Sequence, residues 1–524
     1  MKTKMERSSR PARQGQDNSG SPFRPLWRRL PGQGRAGLRA WGLLARLGVL
    51  AVVVSAAASC IVGPNYMRPR PSSVPGSYKE MEGWKKAEPK DRLLRGNWWV
   101  LFNDPQLTGL EEAVSVSNQN IVQAEAQFRE ARALVQVARS AYFPTVAIGP
   151  SFQRGFQTSP QQGTQTLSLW SLPVDVSWEP DLFGRVRRNV ESSQANAQAT
   201  AADLENVRLT ICAEVAEDYF QLQALDAQKQ LLDATVRAYA TTLALTRNRY
   251  ASGVASRGDV LQAETQLKAT QAQAIDVGVQ RSQIEHAIAV LVGKPASEFS
   301  IPITPIVAAP PAIPVGVPSE LLERRPDIAA AERQMASANA QIGVAMAAFY
   351  PTVTLSASGG SQTLDFSKWL TWPTRFWSIG AAVSEALFEG GLRKAQTEQA
   401  RASYDATVAG YRQTVLTGFQ EVEDNLSALR ILEEEASAQA EAVTAAKDST
   451  TVVTNQYKAG IVAYVNVIVA QTTELSNERV ALTIQGQRMT AAVLLIKALG
   501  GGWDASSLPA NDQLAKGGSG KGEH

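Results

Sequence analysis

The side chains best suited to covalent or metal chemistry are few and widely spaced in this sequence. The 524 residues include two cysteines, Cys60 and Cys212, and two histidines, His286 and His524. Zinc sites combine several Cys and His side chains at short spacings, and a general base is most often a histidine held by a partner. We find no Walker-type phosphate loop, dinucleotide fingerprint or nucleophile elbow. The sequence therefore predicts no metal site, no cofactor and no catalytic network, and Cys60 is the residue with a definable chemistry.

Cys60 follows a signal for export. Residues 1–46 are basic, and a short apolar run from Leu47 to Ala58 leads to Ser59 and Cys60. A transmembrane helix needs about 20 apolar residues, so this run is too short to be one. The segment Ala57-Ala58-Ser59-Cys60 resembles a bacterial lipoprotein signal, in which the cysteine becomes the acylated first residue, so Cys60 is the predicted lipid anchor. The alternative is an ordinary signal peptide followed by a fortuitous cysteine.

The net charge separates the leader from the rest of the chain. Residues 1–59 hold eleven Lys/Arg and two acidic side chains, a local charge of +9, so the remainder carries −6 within the total of +3. Because the basic stretch is unusually long, we expect translation to start downstream of Met1. A mildly acidic mature chain gives no electrostatic reason to propose nucleic-acid binding.

The rest of the sequence is a tandem repeat with an offset of 207 residues. Twelve of the 27 positions from Asn120 to Val146 are identical to those from Asp327 to Val353, and Trp170 recurs as Trp377. A constant offset over this length indicates a duplication. The predicted units are a signal peptide (1–59), a lipidated segment and equatorial belt (60–110), a first repeat (111–300), a Pro-rich linker (301–318), a second repeat (319–505) and a disordered tail (506–524).

Strict alternation predicts strands that cross a membrane. From Trp170 to Trp178 every second residue is apolar, and the equivalent stretch from Trp377 to Val383 follows the same pattern. Alternating side chains lie on opposite faces of a strand, and a membrane strand needs about 9–11 residues. A half-buried strand in a soluble sheet is the alternative. The side chains predicted to face the membrane are Trp170, Leu172, Val174, Val176, Trp178, Trp377, Ile379 and Val383.

The number of strands predicts an assembly. With partner strands starting at Pro144 and Pro351, the sequence contains four candidate strands. The smallest membrane barrels have about 8 strands, and an open sheet edge in hydrocarbon would leave backbone groups without partners. If these strands enter a membrane, several chains must share one barrel.

Two very long helices are predicted by the absence of breakers. Residues 188–252 contain neither Gly nor Pro, and residues 393–459 contain no Pro. At 1.5 Å per residue, the first stretch is about 95 Å long. Each ends at a glycine, Gly253 or Gly460, a residue typical of a left-handed helix cap. Second helices follow at 258–292 and 462–499, so we expect two helical hairpins.

The hairpin tips carry side chains that are candidates for function. Glycine capping accounts for Gly253 and Gly460, but on this interpretation it requires neither the tyrosines nor Asp259. Cys212, by contrast, lies on the apolar stripe of the first long helix and is predicted to pack rather than react. The candidate tip and gate residues are Arg249, Tyr250, Gly253, Asp259, Tyr457, Gly460, Tyr464 and Asn466.

Several motifs, in one order, resemble a family of bacterial envelope proteins. They are Val62-Gly63-Pro64-Asn65-Tyr66, Trp98-Trp99-x-x-Phe102-x-Asp104-Pro105-x-Leu107, Trp178-Glu179-x-Asp181-Leu182-Phe183-Gly184-Arg185 and Val317-Pro318-Ser319-x-Leu321-Leu322-x-Arg324-Arg325-Pro326-Asp327-Ile328. On these motifs residues 60–505 are similar to the TolC-like outer membrane factors of tripartite efflux pumps. The resemblance is strongest to their NodT-type outer membrane efflux lipoprotein branch.

The resemblance implies a mainly α protein with a small β part. Three chains would form a homotrimer, anchored by lipid in the bacterial outer membrane and extending into the periplasm. Four strands per chain would form a twelve-stranded transmembrane β-barrel, and the long antiparallel hairpins would form an α-barrel. The implied partners are a periplasmic adaptor and an inner membrane transporter, commonly of the resistance-nodulation-division class. The implied function is a passive duct for small molecules such as drugs.

The resemblance also implies that the hairpin tips dock the adaptor and close the duct at rest. Some relatives narrow the duct with an aspartate where this chain has Val469, with Asn466 nearby. We therefore expect closure to depend instead on Asp259 and on contacts of Tyr457 and Arg249.

Two other functions fit parts of the sequence. A lipid-anchored periplasmic coiled-coil adaptor or scaffold would share the long hairpins, but it needs no alternating strands and usually adds a lipoyl-like β-domain, which we do not find. A lipoprotein enzyme is disfavoured by the scarcity of histidine and by the absence of a nucleophile motif.

Overall fold

The computed structural model describes residues 61–71, 74–80, 96–159, 163–305, 309–313, 315 and 318–515. Cys60 and the predicted signal peptide lie outside the described residues. The helices are α1 (Pro105–Ser117), α2 (Gln119–Ser140), α3 (Arg185–Ala251), α4 (Arg257–Leu291), α5 (Leu321–Arg324), α6 (Pro326–Ala347), α7 (Leu392–Lys458), α8 (Tyr464–Ala498) and α9 (Asn511–Ala515). The strands are β1 (Thr145–Ile148), β2 (Ser151–Ser159), β3 (Gly163–Trp178), β4 (Thr352–Thr363) and β5 (Arg375–Ser384).

Three helices of the first half, α2, α3 and α4, are repeated residue for residue in the second half as α6, α7 and α8. Helices α3 and α7 each have 67 residues, and α4 and α8 each have 35. Helix α3 begins at Arg185 and α7 at Leu392, which is the offset of 207 found in the sequence. The prediction of a tandem repeat of long hairpins is confirmed. At 1.5 Å per residue, α3 and α7 are each about 100 Å long.

Helix α3 is the central helix, since it contacts α2, α4, α6 and α8. Its start has no ordinary N-cap side chain, because Gly184 at that position has a left-handed backbone with φ of 86°. The carboxylate of Asp181 accepts hydrogen bonds from the amides of Val186 (3.1 Å) and Arg187 (2.9 Å) instead. None of the helices in the described residues is both long and apolar enough to cross a bilayer.

The strands form one antiparallel sheet. Strands β1 and β2 both pair with β3, which pairs with β4, which pairs with β5. Strands β1 and β2 are two parts of one strand interrupted at Gly149 and Pro150, so the sheet has the four strand positions that the sequence predicts. Among the described residues, β1 and β2 form one free edge and β5 forms the other.

The register separates an apolar face of the sheet from a polar one. Cross-strand partners share a face, and the pairs Val146–Val176, Phe152–Trp170, Trp178–Leu355 and Ala357–Ile379 put apolar side chains together. The opposite face holds the pairs Asp175–Ser358 and Ser358–Ser378. The alternation that the sequence predicts for Trp170–Trp178 and Trp377–Val383 is therefore present. Trp377 and Ile379 are 80 % and 79 % exposed, so this apolar face is uncovered in a single chain.

The segments outside the repeats pack along the long helices. Arg188 of α3 donates to the carbonyls of Val62 (3.2 Å) and Gly63 (3.1 Å), and Tyr66 donates to Glu332 of α6 at 2.6 Å. The side chain of Trp98 is buried in the main apolar core.

The start of the C-terminal tail is folded, so the prediction of disorder from residue 506 is wrong for residues 506–515. Leu514 of α9 is buried beside Val135 and Ala197, and Gln136 donates to the carbonyl oxygens of Leu514 and Ala515, both at 3.1 Å. Gln198 of α3 also donates to the carbonyl of Pro509 at 3.0 Å. The Gly/Ser/Lys-rich composition that suggested disorder begins only at residue 516, beyond the described residues.

One buried arginine connects three helices of the second repeat. Arg325, 7 % exposed, donates to Asp327 (2.7 Å), to Glu421 (2.6 Å) and to the carbonyl of Ala498 (3.1 Å). These carboxylates hold the pKa of the Arg325 guanidinium above its usual value, although burial opposes the shift. One side chain thus links α6, α7 and the end of α8.

We expect Arg325→Ala to lower the free energy of unfolding by about 2–3 kcal/mol, because it leaves carboxylates and a buried carbonyl without their donor. The expected loss of stability is smaller than for a fully buried ion pair because the side chain of Glu421 is 44 % exposed. The control is Arg324→Ala, whose side chain is 41 % exposed and pairs with Glu320, 40 % exposed; its cost should stay below about 1 kcal/mol. Urea denaturation of both variants measures the difference, and equal midpoints would contradict the assignment.

Candidate functional site at the hairpin tips

Both hairpin turns are built on a left-handed glycine. Gly253 and Gly460 have φ values of 75° and 79°, and the space around each would admit a Cβ atom. The backbone conformation, not crowding, therefore requires glycine at both positions. The amide after each glycine bonds back to the last helical turn, from Val254 to Arg249 (2.8 Å) and from Ile461 to Gln456 (2.9 Å).

Three of the predicted tip residues form one contact between the two hairpins, which we call the tip contact: Arg249, Tyr457 and Tyr464. The guanidinium carbon of Arg249, at the end of α3, lies 4.7 Å from the ring centroid of Tyr457 at the end of α7. Its Nη1 donates to the carbonyl of Lys458 at 3.1 Å. The rings of Tyr457 and Tyr464 lie 5.2 Å apart and are 5 % and 2 % exposed. The tip contact therefore ties the first hairpin to the second.

An apolar cluster continues the tip contact along the hairpins. Tyr239 and Leu243 of α3, Ala263 and Leu267 of α4, and Val467 of α8 are buried with the two tyrosines. These five residues were not predicted from the sequence. A sequence feature that could have identified four of them is the spacing of four residues in Tyr239–Leu243 and Ala263–Leu267. This spacing places both members of a pair on one helix face.

In the tip contact, an aromatic ring and a backbone carbonyl, rather than a carboxylate, interact with the Arg249 guanidinium. The Tyr457 hydroxyl and the Arg249 Nε are buried and have no hydrogen-bond partner among the described residues. Burial, with smaller contributions from Tyr457 and Tyr239, raises the pKa of Tyr464 to about 12, so this ring is neutral at physiological pH. The attraction is therefore ring packing plus a cation–π interaction, which is worth about 0.5–2 kcal/mol.

Asp259, predicted from the sequence as a tip or gate residue, caps the start of α4 in the structure. Its carboxylate accepts from the Ser256 amide at 3.0 Å, and the Ser256 hydroxyl accepts from the Asp259 amide at 3.1 Å. This reciprocal pair is a capping box at the start of α4. The interpretation that capping does not need Asp259 is wrong, because the box uses the third helical residue as well as the cap.

We expect Asp259→Ala to weaken the first turn of α4 locally by about 1 kcal/mol, because the Ser256 amide loses its acceptor. Hydrogen exchange of the amides near residues 256–260 should become faster while the rest of α4 is unchanged. Asp276→Ala, an exposed mid-helix control on the same helix, should leave those amides as they are. Slower or unchanged exchange in Asp259→Ala would contradict the capping role.

The remaining predicted tip residues do not enter the tip contact. Tyr250 is about half exposed, and the side chain of Asn466 is exposed. Val469, at the position expected for an acidic gate, is 60 % exposed and apolar. Among the described residues, no group of three or more His, Cys, Asp or Glu side chains is placed to hold a metal ion.

A second polar centre lies in the core, far along the chain from the tips. Glu111 of α1 is fully buried, and its carboxylate has no hydrogen bond of normal geometry among the described residues. It lies beside the thiol of Cys212 on α3. Burial raises the pKa of Glu111 to about 8, although the thiol acts in the opposite direction. Burial, followed by the Glu111 carboxylate, raises the pKa of the Cys212 thiol. Cys212 is buried and unpaired, as predicted for a packing residue.

Comparison with known proteins gives one consistent result. The family profile described as "Outer membrane efflux protein" matches residues 112–294 and 317–501, one match for each repeat. The chain is 30 % identical over 475 residues to the probable efflux pump outer membrane protein TtgC of Pseudomonas putida, covering 89 % of this chain and 97 % of that one. It is 29 % identical over 420 residues to the pyoverdine export outer membrane protein OpmQ of Pseudomonas aeruginosa, covering 78 % of this chain and 88 % of OpmQ.

Solved structures give the same result. The outer-membrane channel OprN superposes with a TM-score of 0.79 at 30 % identity, covering 85 % of this chain and all of OprN. The open state of the Neisseria gonorrhoeae MtrE outer membrane channel superposes with a TM-score of 0.74 at 26 % identity, covering 85 % of this chain and 99 % of MtrE.

Proposed function

This chain belongs to the outer membrane efflux protein family and is the outer membrane channel of an efflux system, and on this premise we propose that three copies of it form one passive duct. The duct receives small molecules from an inner membrane transporter and a periplasmic adaptor and releases them outside the cell. The chain catalyses nothing, and the energy comes from the transporter.

The observation that carries the proposal is an amphipathic sheet with two free edges. The four strand positions of the described residues are too few for a closed barrel, which needs about 8 or more. The edge groups of β5 and β1/β2, unpaired within that part of the chain, would have no partners in hydrocarbon. Closure by further copies pairs β5 of one copy with β1/β2 of the next. The side chains Trp170, Leu172, Val174, Val176, Trp178, Trp377, Ile379 and Val383 then face lipid, and the face with Asp175 and Ser378 faces water.

The long hairpins supply the second half of the duct. Helices α3 and α7 start directly after β3 and β5 and lead away from the sheet for about 100 Å. Three copies bring six hairpins to one end, where the tip contact lies. We propose that this end docks the adaptor and narrows the duct at rest, with Arg249, Tyr457 and Tyr464 holding the two hairpins of each chain together.

The cargo is selected by the inner membrane partner rather than by this chain. The curated relatives are named for antibiotic, toluene and pyoverdine export, yet they are all 29–30 % identical to this chain. Similar sequence identity to relatives with such different cargo is expected if the outer membrane component is a conduit that does not select the cargo. We propose a transporter of the resistance-nodulation-division class, as the resemblance to the efflux lipoproteins implies. Acylation of Cys60 adds a lipid anchor to the barrel.

Edge-to-edge cross-linking tests the assembly. We expect a chain with cysteines at Ser151 on β2 and at Ala382 on β5 to form dimers and trimers under oxidation, because the register of β3 with β4, shifted by the 207-residue repeat, places these two positions opposite each other when the edges adjoin. The control pairs Ser171 on β3 with Ser378, since β3 is paired on both sides. Electron microscopy of the detergent-solubilised protein should show threefold end views. Monomers without a detergent-bound end would instead favour a periplasmic scaffold.

A further inference from the structure

The connection between β4 and β5 is an exposed aromatic loop. Residues 364–374 join the two strands at the end of the sheet opposite the helices, and Leu364, Phe366, Leu370 and Trp372 are all exposed. Aromatic side chains at strand ends are typical of the membrane interface. Because the helices leave from the other end of the sheet, this loop faces the outer leaflet when the helices lie in the periplasm.

The loop is fixed rather than loose. The hydroxyls of Ser361 and Thr374 lie 2.6 Å apart, and Thr374 donates to the carbonyl of Thr371 at 2.8 Å. Trp170 of β3 packs against Phe366 at 4.7 Å and Trp369 at 5.7 Å between ring centroids. The loop therefore presents a preformed surface, and ordering it on contact with a ligand costs little.

Two arginines project from the apolar face at this end of the sheet. Arg375, the first residue of β5, lies on the face of Trp377, and its guanidinium carbon is 4.1 Å from the ring centroid of Trp372. Arg154 of β2 pairs with Ser168 and lies on the face of Phe152. Both arginines are exposed, and neither forms an ion pair among the described residues.

The acidic side chains near this end do not neutralise them. Between residues 143 and 178 the only acid is Asp175, and between 349 and 384 it is Asp365. Asp175 lies on the polar face. The carboxylate of Asp365 is 3.6 Å from Lys368 and accepts from Ser367, so it is already engaged.

The free energy of an arginine without an ion-pair partner on a lipid-facing surface depends on its depth in the membrane. Such a residue is strongly unfavourable at the bilayer midplane and nearly neutral in free energy near the interface. At the interface the available counter-charge is the lipid head group, and a guanidinium binds phosphate oxygens through two parallel hydrogen bonds.

We propose that this end of the sheet binds the phosphorylated head group of an outer-leaflet lipid, between Arg375 of one copy and Arg154 of the next. Closing the barrel brings the β5 edge of one chain beside the β2 edge of its neighbour, so the site is incomplete in a single chain. The acyl chains of the bound lipid lie along Phe152 and Trp377, and Trp372 holds the Arg375 guanidinium from the side. The site rests on the proposed threefold assembly and its orientation.

Native mass spectrometry of the purified, detergent-solubilised protein tests the site with two probes, diphosphorylated lipid A and its dephosphorylated form. We expect the wild type to bind the phosphorylated lipid, and Arg154→Gln/Arg375→Gln to bind it at least about tenfold more weakly, since each lost charge-assisted pair contributes on the order of a tenfold change. The dephosphorylated lipid should bind the wild type and the double variant equally. Arg237→Gln, an exposed arginine on α3 far from the sheet, is the matched control.

The outcomes separate this site from the assembly it requires. Intact trimers that bind both lipids equally, or a double variant that binds the phosphorylated lipid as the wild type does, overturn the head-group site and leave the duct standing. Protein that forms no trimers overturns the proposed function, and the site with it. The oligomeric state is read in the same spectra, so the two failures are distinguishable.

Discussion

Tyr457→Ala should make cells permeable to a large antibiotic that the closed duct excludes. The ring of Tyr457 is buried between Arg249 of the first hairpin and Tyr464 of its own. Truncating a buried aromatic side chain costs about 3–5 kcal/mol. If about 3 kcal/mol of this favours the closed tip, the open fraction rises by about two orders of magnitude. The measurement is vancomycin susceptibility of cells that carry the variant, and we expect a marked increase.

Tyr457→Phe is the matched control. It keeps the ring, the contact with Tyr464 and the face that Arg249 covers, and it removes a hydroxyl that has no partner among the described residues. We therefore expect vancomycin susceptibility at the wild-type level. Arg249→Gln should lie between the two tyrosine variants, because it loses the cation–π interaction but keeps a side chain that can donate to Lys458. Unchanged susceptibility in Tyr457→Ala, with normal amounts of protein in the outer membrane, would rule out the tip contact as a closure.

The sequence was informative wherever local rules decide the structure. The helix ends follow glycine caps at Gly253 and Gly460, and the faces of β3 follow its period of two. The repeat offset then predicts the second half of the fold from the first. These features need only neighbours in sequence, and the structure places them within a few residues of the prediction.

The sequence was less informative wherever a contact joins distant segments. Arg249 and Tyr457 were both candidates, but only the structure shows that one covers the other, because 208 residues separate them. The capping role of Asp259 was not predicted, because a capping box and a functional carboxylate have the same residue type. Leu514 was missed because composition beyond residue 516 dominated the interpretation of the tail.

The buried Glu111 was not found from sequence either, since a single acid on an amphipathic helix has no pattern of its own. Its burial predicts a strong effect of pH on stability. The ordinary pKa of about 4.5 applies in the unfolded chain, and burial raises the folded value to about 8. A raised folded pKa means that the native state holds the proton more tightly. Its contribution to stability is complete below pH 4.5 and is lost as the pH rises through 8.

We therefore expect Glu111→Gln to be about as stable as the wild type at pH 5 and more stable by about 3–5 kcal/mol at pH 9, since the amide mimics the protonated acid and cannot ionise. Thermal unfolding of both proteins at the two pH values measures the effect as a double difference. The double difference cancels the contributions of other titrating groups. One of these is Asp218, because burial raises its pKa to about 6.

Glu112→Gln, one residue along the same helix and exposed, is the control and should show no pH-dependent gain. The neighbouring Cys212 thiol stays neutral at both pH values because burial and Glu111 both raise its pKa. A gain of equal size for the two variants would place the pH dependence elsewhere. A gain confined to Glu111→Gln would show that one uncompensated carboxylate, packed between α1 and α3, limits the stability of this helical core in alkaline conditions.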